Sequence, residues 1–254
     1  MTASPLSCTL LVALATAACV PDTWVTLPPA DANTNLDAAD APSDAAPDAA
    51  PDTPNCTSTA SPAYHYRAEG DARDSVDGQH ATFARVAYGA GRFGQAFVFA
   101  GNTAPSYVAL PPGVGDFGSG DFTLVFWMHS TSAAAVSTVL AKRLHCSGGL
   151  GAFTGLDVRM GGVAGNLHIE LWTTSGFHML GTPQGLRTND GRWHQVAIVR
   201  HDAALSLHVD GAEVARTAVA GRFSAASGTP LSLGVGRCVP DAPGTNGQHD
   251  GTAW

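Results

Sequence analysis

The clearest pattern in this chain is an alternation of apolar and polar residues near its C-terminal third. The stretch 205–210 (LSLHVD) has the two-residue period of a strand with one buried face. Asp210 and Gly211 follow it and predict a two-residue hairpin turn into a strand over 213–215, because both central residues of a type I′ turn need positive φ. A second Asp-Gly pair, at 190 and 191, opens a predicted strand at 193–200. The segment therefore predicts consecutive antiparallel strands.

Similar patterns recur after position 62. The segment 64–68 (YHYRA) alternates and predicts a first strand, and 122–128 (FTLVFWM) is apolar on both faces, as a strand between two layers should be. Further strands are predicted at 95–102, 107–111, 139–143, 155–160, 167–173 and 231–236. No helical period extends over more than two turns. The predicted fold class is therefore all-β, a two-sheet antiparallel sandwich.

The first 61 residues have a different composition. Residues 10–18 (LLVALATAA) are apolar, too short to span a bilayer and followed by small residues, which predicts a signal peptide over 1–18. Residues 19–61 are rich in Ala, Asp and Pro and predict a disordered linker, because they cannot bury enough apolar surface to offset the entropy of ordering. The linker is either a tether that holds the domain away from a surface or a neutral spacer. Residues 62–254 form the predicted domain.

The charge distribution changes what the net charge of −8 implies. Seven of the 21 acidic residues precede Arg67, the first basic residue, which leaves 14 acidic against 13 basic residues from there on. The predicted domain is thus nearly neutral. The sequence contains no basic patch that would release counterions, so neither nucleic acid nor an anionic membrane surface is implied as a partner. The low charged fraction of 13% and the 29 Gly residues favour a β-rich exported protein.

Several motifs resemble the laminin G-like, concanavalin A-like jelly-roll family. The first motif, at 190–211, is a D..WHxVA strand followed by a strand that ends in V-D-G. The others are the strand 122–128, the pair of segments QAFVFAGN and YVALP within 95–111, and the loop 71–78. The resemblance spans about residue 62 to 254, implies a jelly roll and implies that Trp127 and Trp193 pack in its core. Family domains close with a strand of the form G.IDEVRIYNRAL, which would begin near Trp254. We expect a domain lacking its last strand through truncation, with a shortened variant or completion by a partner's strand as alternatives.

The T-A-A-C sequence at 16–19 resembles the lipobox of bacterial lipoproteins. This implies a lipid on Cys19, a membrane anchor and a place at the outer membrane or cell surface. Thr16 stands where an aliphatic residue is usual, and no Lys or Arg precedes the apolar stretch. Secretion after cleavage near Ala18 and an uncleaved apolar segment remain alternatives.

Three cysteines remain beyond Cys19 and the leader's Cys8. Cys146 and Cys238 each begin a Gly-rich loop after a predicted strand, and we expect a disulfide between them in an oxidising compartment. Two unpaired cysteines, or Cys56 paired with one of them, are the alternatives.

No catalytic set is found, so the sequence predicts a protein without catalytic residues. Glycosidases that share the sandwich carry an E.D..E strand, whereas the three glutamates here, Glu69, Glu170 and Glu213, are far apart. Glu170 is interpreted as an isolated carboxylate on a polar strand face, with an acid/base pair to an Asp of another strand as the alternative. G-x-S-x-G, P-loop, H-x-x-x-H and C-x-x-C patterns are missing, and the histidines in strands (His168, His194, His208) are interpreted as structural or surface residues.

The family resemblance implies a structural calcium ion as the one cofactor to consider. The candidate ligands are Asp71, Asp74 and Asp77, although their spacing of three differs from the alternating oxygens of an EF-hand loop.

Aromatic residues supply the candidate ligand site. Trp172, Phe177 and His178 are candidates for an exposed sugar-stacking face, with core packing as the alternative. The Gly-rich loops 145–153 and 239–249 are candidate binding loops.

These observations predict a non-catalytic, exported binding module whose partner is a glycan or an extracellular protein. A truncated accessory domain of a larger carbohydrate-active enzyme is the alternative, and a structural surface protein without a small ligand is a third. Fold alone does not decide between them.

Overall fold

The computed structural model describes residues 6–9, 62–99, 106–134, 136–143, 155–161, 165–223 and 230–235. Within these ranges the chain forms 14 strands and no helix, which confirms the all-β prediction. In the described part of the chain, no helix is long and apolar enough to span a membrane. The predicted linker, the lipidation site Cys19, and Cys56, Cys146 and Cys238 lie outside the described residues.

The strands form two antiparallel seven-stranded sheets arranged as a sandwich. Sheet A runs in the spatial order β13 (Ala212–Ala218), β12 (Ala204–Val209), β11 (Trp193–His201), β6 (Phe122–His129), β1 (Leu6–Thr9), β4 (Gln95–Phe99) and β3 (Val86–Ala90). Sheet B runs in the order β10 (Gly176–Gly181), β9 (Asn166–Thr173), β8 (Gly155–Gly161), β7 (Val136–Arg143), β14 (Ser232–Leu233), β5 (Tyr107–Ala109) and β2 (Thr82–Ala84).

The core lies between the sheets and is built from alternate residues of their central strands. Leu124 and Phe126 of β6 and Ile198 of β11 face it from sheet A, while Val158 and Ile169 face it from sheet B. All five are fully buried. Each such side chain stabilises the fold by about 1.5–3 kcal/mol relative to exposure. The apolar strand 122–128 is covered on both faces, as its sequence predicts.

The hairpin between β12 and β13 confirms the turn predicted at Asp210 and Gly211. Their φ angles are 51° and 83°, both positive, as a type I′ turn requires. The β11 to β12 hairpin also turns on two residues, with Asp202 at a φ of 53°. Short aspartates at these positions tolerate the left-handed region, which bulky residues avoid.

The prediction of a strand over 64–68 is wrong. Tyr66 makes only an isolated bridge to Asp74, and Ala68 has a φ of 59°, which a continuous strand does not allow. Backbone groups here bond to a side chain instead of a neighbouring strand: the His65 amide donates to Asp74 Oδ1 over 2.7 Å. The sequence also gave no prediction of β2, β3 and β10, of which β3 and β10 contain glycine and carry little alternation.

Two tryptophans expected in the core lie half-buried on the outer face of sheet A instead. Trp127 contacts Phe93 edge-to-face at 5.7 Å between ring centroids, and Trp193 packs against His129 at 5.4 Å. The alternation explains the result, because Phe126 and Met128 already take the core-facing positions on either side of Trp127.

Strand β1 lies in the middle of sheet A, although it belongs to the predicted signal peptide. It pairs with β4 on one side and β6 on the other, so that Ser7 is opposite both Val98 and His129. Within the described residues β4 and β6 are joined only through β1. Residues 6–9 therefore take a central position in sheet A, and a last strand missing through truncation stays a prediction.

Candidate functional site

The outer face of sheet B over strands β7 to β10 carries aromatic, charged and histidine side chains, and we call it the binding face. Strand register arranges it in three rows that cross the strands: an aromatic row, a charged row and a histidine row. The aromatic row is Arg143, Gly155, Trp172 and Phe177; the charged row is Ala141, Asp157, Glu170 and Met179; the histidine row is Thr138, Arg159, His168 and Gly181.

The aromatic row brings Trp172 and Phe177 together. They are opposite each other on β9 and β10, and their ring centroids lie 4.4 Å apart at an interplanar angle of 39°. Phe177 is 44% exposed, and Met179 on the same strand is 60% exposed. Two large apolar side chains of the edge strand β10 are thus exposed, and the half-buried Trp172 lies beside them on β9; contiguous exposed apolar side chains are typical of a binding site.

Beside the apolar edge lies a compact charged network centred on Asp157, which is only 1% exposed. Its Oδ2 accepts from Arg143 Nη2 at 3.0 Å, Arg159 Nη2 at 2.6 Å and Arg159 Nε at 2.7 Å. Burial raises the pKa of Asp157, the two guanidinium groups oppose that shift, and the negative charge of Glu170 adds to it. The four charges balance, so the binding face is polar without a net charge.

The histidine row ends the face on an open surface. His168 is exposed and lies between two glycines: a Cβ built on Gly161 would come within 3.4 Å of its Nε2, and one on Gly181 within 3.4 Å of its Nδ1. Because neither glycine has a side chain, the imidazole is not crowded at these two positions, and its ring nitrogens are available to a ligand.

Together these rows place a tilted pair of aromatic rings beside charged and hydrogen-bonding groups, of which Arg159, Glu170 and His168 are at least partly exposed. Aromatic rings stack on the apolar faces of sugars, while carboxylates, guanidinium groups and imidazoles bond to hydroxyl groups. Because the groups sit on strands and not on loops, their spacing is fixed before a ligand arrives.

Of the three aromatic candidates named from the sequence, Trp172 and Phe177 meet on the binding face and His178 does not. His178 is opposite Leu171 on the other side of β10, and its Nε2 lies 3.2 Å from Thr173 Oγ1. The candidate loops 145–153 and 239–249 lie outside the described residues.

Asp74, the central candidate for calcium binding, has carboxylate oxygens that accept hydrogen bonds from the surrounding loop. Four backbone amides donate to them: those of His65 and Val76 to Oδ1, and those of Asp77 and Gln79 to Oδ2. Although burial raises its pKa, hydrogen bonds from Asp77 and from backbone amides outweigh this and lower the pKa of Asp74 to about 2.

The three calcium candidates do not form one cluster: the Asp77 side chain is hydrogen-bonded to Asp74, but Asp71 is not part of this pair. Asp71 accepts from the Arg73 amide at 3.1 Å. In the part of the chain that the structure describes, one group of three ligand-type side chains has its ligand atoms within 4.8 Å of one another, and it is Asp121, His201 and Asp202. A calcium ion held by Asp71, Asp74 and Asp77 remains a prediction.

Sequence reasoning missed the charged network. Asp157 and Arg159 alternate with the buried Leu156, Val158 and Met160, so the pattern of strand β8 already places both on the outer face. The sequence pattern does not, however, contain the strand register that places Asp157 opposite Glu170.

Comparison with known proteins agrees with this architecture. The sequence profile of the concanavalin A-like lectin/glucanases superfamily matches residues 101–253. Among curated protein sequences, none matches the chain.

Several solved structures are similar. Domain 4 of AbnA, a GH43 extracellular arabinanase from Geobacillus stearothermophilus, in complex with arabinotriose, has 16% identity and a TM-score of 0.44, covering 66% of this chain and 79% of that one. The CBM40 of Ruminococcus gnavus IT-sialidase, bound to α2,3 sialyllactose, has 20% identity and a TM-score of 0.37, covering 45% and 63%. The mouse laminin α1 LG4-5 domains have 18% identity and a TM-score of 0.41, covering 57% and 40%. This chain thus spans less than two thirds of the sialidase module and of the laminin fragment.

Proposed function

We propose that this chain, which belongs to the concanavalin A-like lectin/glucanases superfamily, is a non-catalytic carbohydrate-binding module that takes its ligand on the outer face of sheet B. The observation that carries the proposal is the contact between the exposed Phe177 and the half-buried Trp172, which lies one row from the Asp157, Arg159 and Glu170 network. This combination matches the two faces of a pyranose ring, of which one is apolar and the rim is hydroxylated.

The geometry of the carboxylates supports binding without hydrolysis. Glu170 has an Asp directly opposite, as one interpretation of the sequence allowed, but that residue, Asp157, is buried and bonded to two arginines. Glycoside hydrolysis needs two carboxyl groups that both reach the scissile bond. Asp157 has neither the access nor the freedom for that role.

Presentation outside the cytoplasm is a further part of the proposal, and its support comes from the sequence. The apolar 10–18 segment and Cys19 favour an exported lipoprotein, and the Ala/Asp/Pro linker would separate the module from the membrane. An exported module with a glycan-binding face would act in adhesion or in holding a polysaccharide near the cell.

A glycan-array screen of the exported chain, with and without calcium, tests the proposed function. Trp172→Ala and Phe177→Ala are each expected to weaken binding by about tenfold or more, which corresponds to 1.4 kcal/mol. Phe83→Ala is the matched control, because Phe83 is 50% exposed on β2 at the opposite edge of the same sheet. Calcium dependence would support a bound ion.

Two outcomes would overturn the proposal. If the folded protein binds no glycan in either condition, a protein becomes the expected partner of the binding face. Binding that survives both aromatic substitutions would place the ligand elsewhere on the domain.

A further inference from the structure

A fully buried lysine lies near the end of β7, on the inner side of sheet B. Lys142 is 0% exposed and is opposite the core residue Leu156 on β8. Burial lowers the pKa of Lys142, and the negative charge of Asp116 opposes that shift. An ammonium group at such a position is strongly unfavourable unless oxygens surround it, so its contacts show what this part of the fold is built to hold.

The contacts come from one short loop, residues 111–116, which we call the oxygen loop. Lys142 Nζ donates to the carbonyl oxygens of Pro112 at 2.6 Å and Val114 at 2.9 Å, and it lies 3.5 Å from Asp116 Oδ1. A primary ammonium group has three N–H donors and no acceptor. Three oxygens of the loop, one of which is negatively charged, therefore match the ammonium in number and in charge.

The backbone of the oxygen loop is folded so that these carbonyls converge. Its amides bond to other carbonyls of the loop: that of Val114 donates to Pro111 O at 2.9 Å, and that of Asp116 donates to Gly113 O at 3.2 Å. The carbonyls of residues 112 and 114 alternate with these acceptors and bond to the ammonium instead. The loop thus forms a small cage of oxygens.

The same loop also closes over the apolar stem of the lysine. Gly115 has a φ of 81°, and a Cβ built on it would lie 3.2 Å from Lys142 Cδ. Leu231 Cδ2 at 3.7 Å and Phe117 Cζ at 3.8 Å from that point complete the enclosure. The shape of the enclosure is therefore that of an unbranched alkyl chain that ends in an ammonium group.

We propose that the oxygen loop is a binding site for a primary alkylammonium group, and that the chain fills this site with its own Lys142. A metal ion suits the cage less well, because calcium takes about six to eight oxygen ligands and three oxygens converge here from the loop. The internal cation fixes the end of β7. From there the next residue, Arg143, extends to the opposite face and reaches Asp157 at 3.0 Å.

Replacing the internal cation with a free one tests this inference without any glycan. Lys142→Ala removes Cγ, Cδ, Cε and Nζ, which are the heavy atoms of n-propylammonium. The variant is expected to melt about 5 °C or more below the natural chain, because buried oxygens lose their donor. Adding about 100 mM n-propylammonium chloride should raise its melting temperature by about 2 °C or more in a saturable way. Hydrogen exchange of the Val114 and Asp116 amides should slow at the same concentrations.

Two controls separate binding in the cage from a general effect of salt. Lys142→Met keeps an unbranched apolar side chain in the enclosure and leaves no room for the ligand, so n-propylammonium should not raise its melting temperature. Tetramethylammonium chloride at the same concentration has the charge but no N–H donor, and it should not restore Lys142→Ala. Adding Asp116→Asn to Lys142→Ala should weaken the restoration, because the cage loses its negative charge.

If Lys142→Ala does not fold on its own, the yield of folded protein after refolding in each salt replaces the melting temperature as the measurement. A higher yield in n-propylammonium than in tetramethylammonium would then support the site. Equal effects of the two salts on Lys142→Ala would overturn the proposal. So would restoration of Lys142→Met by n-propylammonium, or a larger stabilisation of Lys142→Ala by calcium than by n-propylammonium, which would identify the cage as a metal site.

Discussion

At the scale of single residues, His194 connects three parts of sheet A. It is 8% exposed, its Nδ1 lies 2.8 Å from Asp210 Oδ2 in the β12 to β13 turn, and its Nε2 lies 3.0 Å from Asp190 Oδ1 before β11. Asp210 also accepts from the Gln195 amide at 2.9 Å. The hydrogen bond to Asp210 raises the pKa of His194, although burial acts in the opposite direction.

This raised pKa predicts a pH-dependent stability. The contribution of protonated His194 is fully present below its unfolded pKa of about 6.5 and is lost as the pH rises through the higher folded pKa. We expect Asp210→Asn to remove about 1 kcal/mol at pH 5.5 and little at pH 9, because Asp210 is half exposed and water screens the pair. Urea unfolding at both pH values measures this. An equal loss at both pH values in Asp210→Asn would contradict the assignment.

His194 also shows what the sequence contains at this scale. Its position in a strand beside apolar residues predicted a structural or surface histidine, and the structure shows a structural one; the Asp-Gly turns on either side were visible in the sequence. Its two aspartate partners were not, because they are 4 residues before and 16 residues after it and meet only through strand pairing.

At the scale of elements, strands β7 and β8 approach each other closely where the binding face begins. A Cβ built on Gly155 would lie 2.6 Å from the backbone oxygen of Lys142 and 3.1 Å from Arg143 Cα. Glycine at this position therefore permits the pairing that places Arg143 beside Asp157.

Gly155→Ala is expected to destabilise the domain by about 1–3 kcal/mol, the usual cost of overpacking. Thermal unfolding measures the effect, and glycan binding should weaken with it because the charged network shifts. Gly113→Ala is the matched control: its added Cβ meets no atom within 4 Å, and its stability should change by less than about 0.5 kcal/mol. Equal melting temperatures for the two variants would show that the β7 to β8 approach is not tight.

Elements with a strong pattern were predictable and those with a weak pattern were not. Strands β6, β11 and β12 alternate or are apolar throughout, and each was found where predicted. The 64–68 segment alternates equally well, but the His65 amide donates its hydrogen bond to the Asp74 side chain and not to a neighbouring strand, so no strand forms there. The binding face was half predicted, since Trp172 and Phe177 are hydrophobic residues in a polar neighbourhood, whereas its charged row depends on register.

At the scale of the whole molecule, nearly all of the net negative charge lies in the segment before the domain. The acidic residues before Arg67 account for seven of the eight net negative charges, and the domain and its binding face are close to neutral. Affinity for a glycan is therefore expected to change by less than about twofold between 50 and 500 mM NaCl, since screening has little to act on. Titration calorimetry at the two salt concentrations, with the natural chain and with residues 31–52 deleted, measures this. A steep loss with salt would indicate an anionic ligand held by Arg159 or Arg143.

The central position of strand β1 in sheet A also affects the order in which we expect the sheet to form. Strands β11, β12 and β13 follow one another along the chain and pair through two-residue turns, and β3 pairs with β4 in the same local way. The strand between β4 and β6 must instead arrive from far away, as the pairing of Ser7 with His129 illustrates. Contacts of such long range form late, because closing a long loop costs entropy before any bond repays it. We therefore expect β1 to join sheet A last, and before it joins, β4 has an unpaired edge that favours proteolysis and pairing with strands of other chains.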